Sequence, residues 1–308
     1  MPWSHHSHSG QFCLHAKGTL RQVLDEAVGQ GFELYGLSEH MPRYRVQDLY
    51  PEESHLTVEE LYKTFDDYLQ EAQQCRQDYA DRLTLLIGLE TDVIHPNSIQ
   101  ELQELLLIRQ VDYVVGSIHH ANQIPIDFDQ PTFDAALASF KNDKEALFNH
   151  YLDAQYELLQ VIQPEVIGHF DLCRLWHPEI RFQDYESTWA KVQRNVQCGV
   201  SYGALFEVNA AAFRKGWKEA YPAEDVLTLI MSLNGRMCLS DDSHGPHAVG
   251  LHYEDAYKYL RAKGVGELYY LDRPREGEQT DTGGRGRTVV RKVQGQWWEH
   301  AFFSKWRG

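Results

Sequence analysis

The chain runs to 308 residues and sets 29 Lys and Arg against 45 Asp and Glu, a net charge of −16 at neutral pH with a pI near 5.4. That balance argues against nucleic-acid backbone or an anionic membrane as the main partner, since both would meet long-range repulsion, and it suits a cationic group or a bound metal. With 43% hydrophobic and 24% charged residues, the composition fits one large domain or two small ones, and α/β barrels of this length commonly remain one domain.

The first predicted element is the His-rich stretch Trp3 to His15. Side chains two apart on an extended strand share a face, so His6 and His8 can aim at one point, and His15 can return to it from the following loop. Neutral imidazole is the commonest ligand for zinc and also suits iron and manganese. Thr19 to Gly31 reads as a helix with Gly31 as its stop, and Leu34 to Ser38 as a strand ending at Glu39-His40. Thr57 caps a long helix. Thr84 to Leu89 is a strand ending at Glu90, Asn97 caps a helix to about Gln110, and Tyr113 to Ile118 is a β-branched strand ending at His119.

A polar loop, Pro125 to Pro131, leads to a helix over Lys144 to Ile162, and Val166 to Gly168 is a short strand ending at His169. The scheme repeats with a helix over Ser187 to Gly199, a strand over Leu205 to Val208 ending at Asn209, and a helix over Ala223 to Asn234. A strand over Arg236 to Ser240 ends at Asp241-Asp242, and a helix over Glu254 to Gly264 leads to a last strand, Leu268 to Leu271. The tail carries REGEQTDTGGRGR, read as a mobile hairpin or loop, before a Val- and Trp-rich end. Alternating strands and helices predict an α/β fold, a parallel sheet with right-handed crossovers, closed at this strand count into a barrel. The barrel is expected over about 1–271, with an extension over 272–308 and no linker that would split the chain.

The five cysteines, Cys13, Cys75, Cys173, Cys198 and Cys238, form no C-x-x-C pair and read as reduced thiols of a cytoplasmic protein. There is no charged-then-apolar leader and no apolar run long enough to span a membrane, so neither secretion nor a membrane partner is expected.

The candidate ligands cluster by position. His40, Glu90, His119, His169, and Asp242 with His244 each lie at or just past a strand's C-terminal end, the rim where barrel enzymes gather their chemistry from separate strands. With His6, His8 and His15 they are too many for one ion and suit two or three metals sharing a bridging carboxylate. His119 is chosen over His120 because it ends the apolar alternation, and Asp242 over Asp241 because D-x-H is then kept with His244.

These residues carry a resemblance. HSH at 6–8, CLHAKG at 13–18, LSEHMP at 37–42, GLETD at 88–92, GSIHHA at 116–121, VIGHFDL at 166–172 and DSHGP at 242–246 resemble the PHP (polymerase and histidinol phosphatase) superfamily. EVNAAAFRKG at 207–216 and KEAYP at 218–222 are similar to its monofunctional histidinol-phosphate phosphatase branch. The resemblance implies a distorted (β/α)7 barrel, TIM-like, with a trinuclear site of zinc, iron or manganese. Its ligands fall on His6, His8, His15, His40, Glu90, His119, His169, Asp242 and His244. Many relatives have Asp before the first histidine, where this chain has His5 and Ser4.

The implied reaction is hydrolysis of a small phosphorylated substrate, L-histidinol phosphate, with Asp242 and His244 at the reacting centre. Bound ions would bring water to a pKa of about 7 and offset phosphate charge. Asp241 and His247 are candidates to protonate the leaving alkoxide, and Arg214, Lys215 and Arg174 to hold phosphate. Glu207, Asp92, Asp127 and Asp129 could accept the substrate's ammonium. Glu39 could ligate a metal or orient an imidazole from behind. Cys13 reads as a buried thiol, because phosphate chemistry favours nitrogen and oxygen ligands. His5 and His120 read as residues outside the cluster, as do His55, His95, His150, His177, His252 and His300. Two other classes remain open: a PHP phosphoesterase acting on another ester or on nucleic acid, and a metal-binding barrel without turnover.

Overall fold

Seven short runs rich in Val, Leu and Ile become the parallel strands of one sheet in the computed structural model, which describes residues 2–280 and 285–306. They are β1 (Trp3–Ser4), β2 (Leu34–Leu37), β3 (Thr84–Glu90), β4 (Tyr113–Gly116), β5 (Val166–Ile167), β6 (Leu205–Asn209) and β7 (Arg236–Ser240). Their order in the sheet is their order in the chain. Nearly every strand residue is buried, as a parallel sheet covered on both faces requires.

The crossovers are helical: α1 (Leu20–Gln30), α2 (Val58–Asp78), α3 (Ser98–Ile108), α4 (Gln130–Ser139), α5 (Lys144–Val161), α6 (Glu186–Tyr202), α7 (Ala211–Arg214), α8 (Glu224–Ser232) and α9 (Tyr253–Ala262). α1 begins with a capping box, Thr19 and Gln22 each accepting a backbone N–H from the other's end, and stops at Gly31, whose φ of 85° belongs to the left-handed region. α4 falls where a polar loop is expected to run on. Asp129 accepts the Thr132 N–H at 2.8 Å and Pro131 sits in the first turn, so helix-starting chemistry overrides the polar composition.

The ring of strands is nearly closed. β7 returns beside β1 without ladder hydrogen bonds, and side chains span the gap. The Ser4 hydroxyl donates to Asp241 Oδ1 at 2.8 Å and the Tyr35 hydroxyl to its Oδ2 at 2.9 Å, while the Tyr253 hydroxyl donates to the Trp3 carbonyl at 2.8 Å. Inside the barrel, Tyr113 lies across β2 and β3, where a Cβ on Gly36 or Gly88 would fall 2.3 or 2.5 Å from its ring or hydroxyl. These two glycines let its hydroxyl reach the His5 carbonyl at 2.8 Å, which fixes the chain just before His6.

The predicted last strand differs from expectation. Tyr269–Asp272 does not join the barrel but pairs antiparallel with Val289–Lys292. The outer edge of β2 is already occupied by Trp3–Ser4, so the later strand takes a partner from the tail. The stretch REGEQTDTGGRGR, expected as a mobile hairpin or loop, lies between these two strands in the chain, and its residues 281–284 lie outside the described ones. Beyond it, Val293, Trp297 and Phe303 are buried in the same core as the barrel helices. Among the described residues no helix is long and apolar enough to cross a membrane.

Candidate metal centre

Past the C-terminal ends of β1 and β7 the chain makes a second, smaller pairing: Ser7–His8 runs parallel to Ser243–His244. Asp242 bridges β7 to this pair with φ of 47°, a left-handed turn that Asp tolerates better than most residues. The H-x-H and D-x-H segments therefore stand side by side over the barrel mouth. Glu90, the last residue of β3, rises beneath them and is 1% exposed.

Both Glu90 oxygens are surrounded by imidazoles. Oε1 lies 3.0 Å from His6 Nε2, 3.0 Å from His169 Nε2 and 3.2 Å from His119 Nε2. Oε2 lies 3.3 Å from His8 Nε2 and 3.1 Å from His40 Nδ1. Asp242 Oδ1 sits 3.6 Å from His6 Nε2 and 3.7 Å from His8 Nε2. Four groupings emerge among the described residues: His6, His8 and Asp242; His6, Glu90 and His169; His8, His40 and Glu90; and, toward the mouth, His15, His40 and His244 with Cys13.

Several buried atoms of this centre lack hydrogen-bond partners. His6 Nε2, both ring nitrogens of His8 and of His40, and Asp242 Oδ1 are shielded from water without one. Unsatisfied buried polar atoms are costly, and so many aimed at one region fit a cluster of cations. The donor set, imidazole with carboxylate, matches zinc, iron or manganese. Burial alone would raise the Glu90 carboxyl, but His6, His119 and His40 outweigh it and hold it well below the usual range. Burial would likewise lower His6, but Glu90, Asp242 and Glu207 outweigh it and raise it. For this pair each partner favours the charge of the other, whereas burial and the neighbouring His8 lower His40 and His244.

A second ring of polar residues aims the first. Glu207 Oε1 lies 2.8 Å from His6 Nδ1, while its Oε2 accepts the His169 backbone N–H at 2.7 Å. The Asn209 amide donates to that oxygen at 3.0 Å and to Asp242 Oδ2 at 3.3 Å. Glu39 Oε2 is 3.5 Å from His8 Nδ1, and its Oε1 accepts the Ser9 N–H and hydroxyl. Asp92 stands 3.6 Å from His119 Nδ1 and 3.0 Å from His120 Nδ1. Fixing the far nitrogen of an imidazole sets its tautomer and the aim of the near one.

The centre forms the floor of a cavity of about 390 Å³. Arg214 and Lys215, at the end of α7, line it, as do His247, Asp127 and, among residues without an earlier assignment, Lys17, Tyr50 and Phe128. Lys17 is part of CLHAKG and could have been found from its motif. Tyr50 and Phe128 sit on irregular loops with no periodic pattern to mark them.

Four expected site residues stand elsewhere. Arg174 is fully buried away from the cavity, its guanidinium held by Asp171 at 2.6 Å, Asp225 at 2.6 Å and the Ile180 carbonyl at 2.8 Å. No N–H fork is left for phosphate. Asp241 faces the seam between β7 and β1, bonded to Ser4, Tyr35 and the Gly250 N–H at 2.7 Å; burial pushes its carboxyl up to about 6, but it does not border the cavity. Asp129 is spent on the α4 cap, and Glu207 on His6 and His169. His5, as expected, points out of the cluster, with Nε2 accepting the Leu271 N–H at 3.0 Å.

Comparison with known proteins agrees with this geometry. The PHP domain family matches residues 4–211. The chain is 49% identical to the "Probable histidinol-phosphatase" of Schizosaccharomyces pombe, over 91% of this chain and 92% of that protein. It is 34% identical to the histidinol-phosphatase of Saccharomyces cerevisiae, over 83% of this chain and 87% of the other. Among solved structures, the histidinol phosphate phosphatase of Lactococcus lactis, complexed with zinc, L-histidinol and phosphate, superposes with a TM-score of 0.64 at 20% identity, covering 87% of this chain and 95% of that one. At that identity the likeness speaks to the fold.

Proposed function

The chain belongs to the PHP family, and from that membership we propose that it is a histidinol-phosphatase, hydrolysing L-histidinol phosphate to L-histidinol and phosphate. The observation that carries the reading is Glu90, whose two oxygens face imidazoles from separate parts of the chain on the floor of one cavity. His6, His8, Glu90, Asp242, His119 and His169 would hold two divalent ions, and His15, His40 and His244 a third. Such ions supply a nucleophile from water at neutral pH and offset charge on phosphate during in-line displacement.

The protein's own residues do the remaining work. Glu207, Glu39 and Asp92 keep the imidazoles aimed. Arg214, with Lys215 and Lys17, gives the phosphate oxygens fixed cations at the cavity wall. Asp127 faces the same space and is the acceptor for the substrate's ammonium, beside the rings of Tyr50 and Phe128, which stack with centroids 6.0 Å apart. His247 is an exposed imidazole on the wall, outside the ligand set, and the group available to protonate the departing alkoxide oxygen. The chain works as one unit, its tail supplying Trp297 and Phe303 to the core. Five free cysteines support a reducing, cytoplasmic setting.

Assay of the zinc-loaded protein with histidinol phosphate, p-nitrophenyl phosphate and a short oligonucleotide tests this. Release of phosphate from histidinol phosphate with much the highest kcat/KM is expected. Preference for the oligonucleotide, or no turnover of any of the three, would overturn it.

A further inference from the structure

The mouthward group of the centre contains a residue that the phosphatase reading does not use. Cys13, only 6% exposed, has its Sγ 3.1 Å from His15 Nε2. One donor atom each from Cys13, His15, His40 and His244 lies within 4.8 Å of the others. Bonds of about 2.0 Å to nitrogen and 2.3 Å to sulfur set the donors of one tetrahedral ion roughly 3 to 4 Å apart, so small side-chain movements close the set.

The placement is built by the backbone. The turn after His8 folds back through Cys13 N–H to Ser9 carbonyl at 2.9 Å and Ala16 N–H to Cys13 carbonyl at 3.1 Å. It is then pinned to the D-x-H segment by Lys17 N–H to His244 carbonyl at 3.0 Å. A Cβ on Gly10 would lie 2.7 Å from Lys17 Cα, and one on Gly245 2.5 Å from the Lys17 carbonyl, so the turn is seated without slack. His40 Nε2, shielded from water and without a partner, belongs to the same group of side chains.

Charge distinguishes this group from its neighbours. The deeper positions have carboxylate donors in Glu90 and Asp242. The group of His15, His40 and His244 includes none: Glu90 Oε2 approaches His40 at Nδ1 (3.1 Å), Asp242 Oδ1 approaches His244 at Nδ1 (3.6 Å) and Glu52 approaches His15 at Nδ1 (3.2 Å), but none of the three carboxylates falls in the four-donor set with Cys13. A dication held by three neutral imidazoles lacks an anionic donor, and a coordinating thiol is deprotonated by the metal itself.

We propose that Cys13, as thiolate, ligates the outermost divalent ion, joining the imidazoles of His15, His40 and His244 in a four-donor set that selects zinc over harder ions such as manganese at that position. The proposal rests on the centre's being a metal cluster, and not on which ester is hydrolysed. Among the described residues the other four cysteines fall in no such group.

The test is spectroscopic and independent of turnover. The full chain loaded with cobalt(II) should show a near-ultraviolet sulfur-to-cobalt charge-transfer band, absent from Cys13→Ser and Cys13→Ala. Zinc content should fall by one ion per chain in Cys13→Ala. X-ray absorption on the unaltered zinc protein needs no variant and should show a sulfur neighbour at about 2.3 Å. A cobalt protein without the band, a band that survives in Cys13→Ser, or a zinc spectrum with no sulfur neighbour would each overturn the assignment, whether or not histidinol phosphate proves to be the substrate.

Discussion

The buried charge clusters around Glu90 and around Arg174 are built on opposite principles. Around Arg174 opposite charges are matched: the guanidinium is shared by Asp171, Asp225 and a carbonyl, and the carboxylates also accept the Ala223 and Phe182 N–H groups. Around Glu90 the matching is incomplete. Imidazole nitrogens crowd a carboxylate at 3.0–3.3 Å, His119 Nε2 stands 3.2 Å from His169 Nε2, and several atoms have no partner. Burial of polar groups is therefore not what marks a functional site. The mark is a shortage of cations that the protein does not supply itself.

Substitutions should separate the two clusters. The largest effect is expected from Glu90→Gln, which removes the charge shared by all the deeper imidazoles: turnover should fall by about a thousandfold or more, with metal lost on elemental analysis. Wild-type kinetics in that variant would erase the distinction. Arg174→Met should do the reverse. It strands Asp171 and Asp225 and should cost about 3–5 kcal/mol in urea unfolding, while metal content and kcat of the folded fraction hold. A drop in metal content would show that the clusters are coupled.

Arg214→Ala should lower kcat/KM about tenfold or more, the worth of a charged hydrogen bond of ~1.5 kcal/mol or above, with metal retained. An unchanged kcat/KM would remove Arg214 from the phosphate wall. Proton release sharpens the comparison further. In the metal-free protein burial works against a proton on His8, but Glu39 and Glu90 outweigh it and raise the imidazole from 6.5 to about 9. That folded value lies above the unfolded one, so the proton's contribution to stability is complete below 6.5 and is lost as pH climbs through 9. Loading zinc at neutral pH should then expel a proton, seen by calorimetry in buffers of different ionisation heat. A zero proton count would mean that the imidazoles stand neutral beforehand. The smallest effect is expected at Arg285, which bonds the buried Glu165 at 2.8 Å. Arg285→Ala should cost about 1–3 kcal/mol and leave activity unchanged.

The sequence made His40, Glu90, His119, His169, Asp242 and His244 legible because each lies at or just past a strand end, where apolar runs change to His, Glu or Asp, and His6, His8 and His15 through their spacing in one stretch. Arg174 and Asp241 were misplaced for a reason of the same kind. Both lie within a residue or a few of true cavity residues, and proximity along the chain says nothing about which way a side chain turns. Arg174 turns inward because Asp171, one helical turn earlier, captures it. Asp241 turns to the seam because Ser4, Tyr35 and the Gly250 N–H hold its carboxylate there. The strand Trp3–Ser4 is too short to carry a pattern, and it took the place predicted for Leu268 to Leu271. Tyr50 and Phe128 depend on loops whose course is set only by what they pack against.

The gap between β1 and β7 has a consequence for how the protein responds to a chelator. The short strand that shuts the ring is followed directly by His6 and His8, so whatever draws those two rings toward Glu90 also draws the wall into place. Stripping the ions should loosen the segment Trp3–His8 first, with faster amide exchange there than in β3 or β6, while the rest of the cylinder keeps its shape. The ion cluster would then serve as the latch of the barrel as well as the seat of its chemistry.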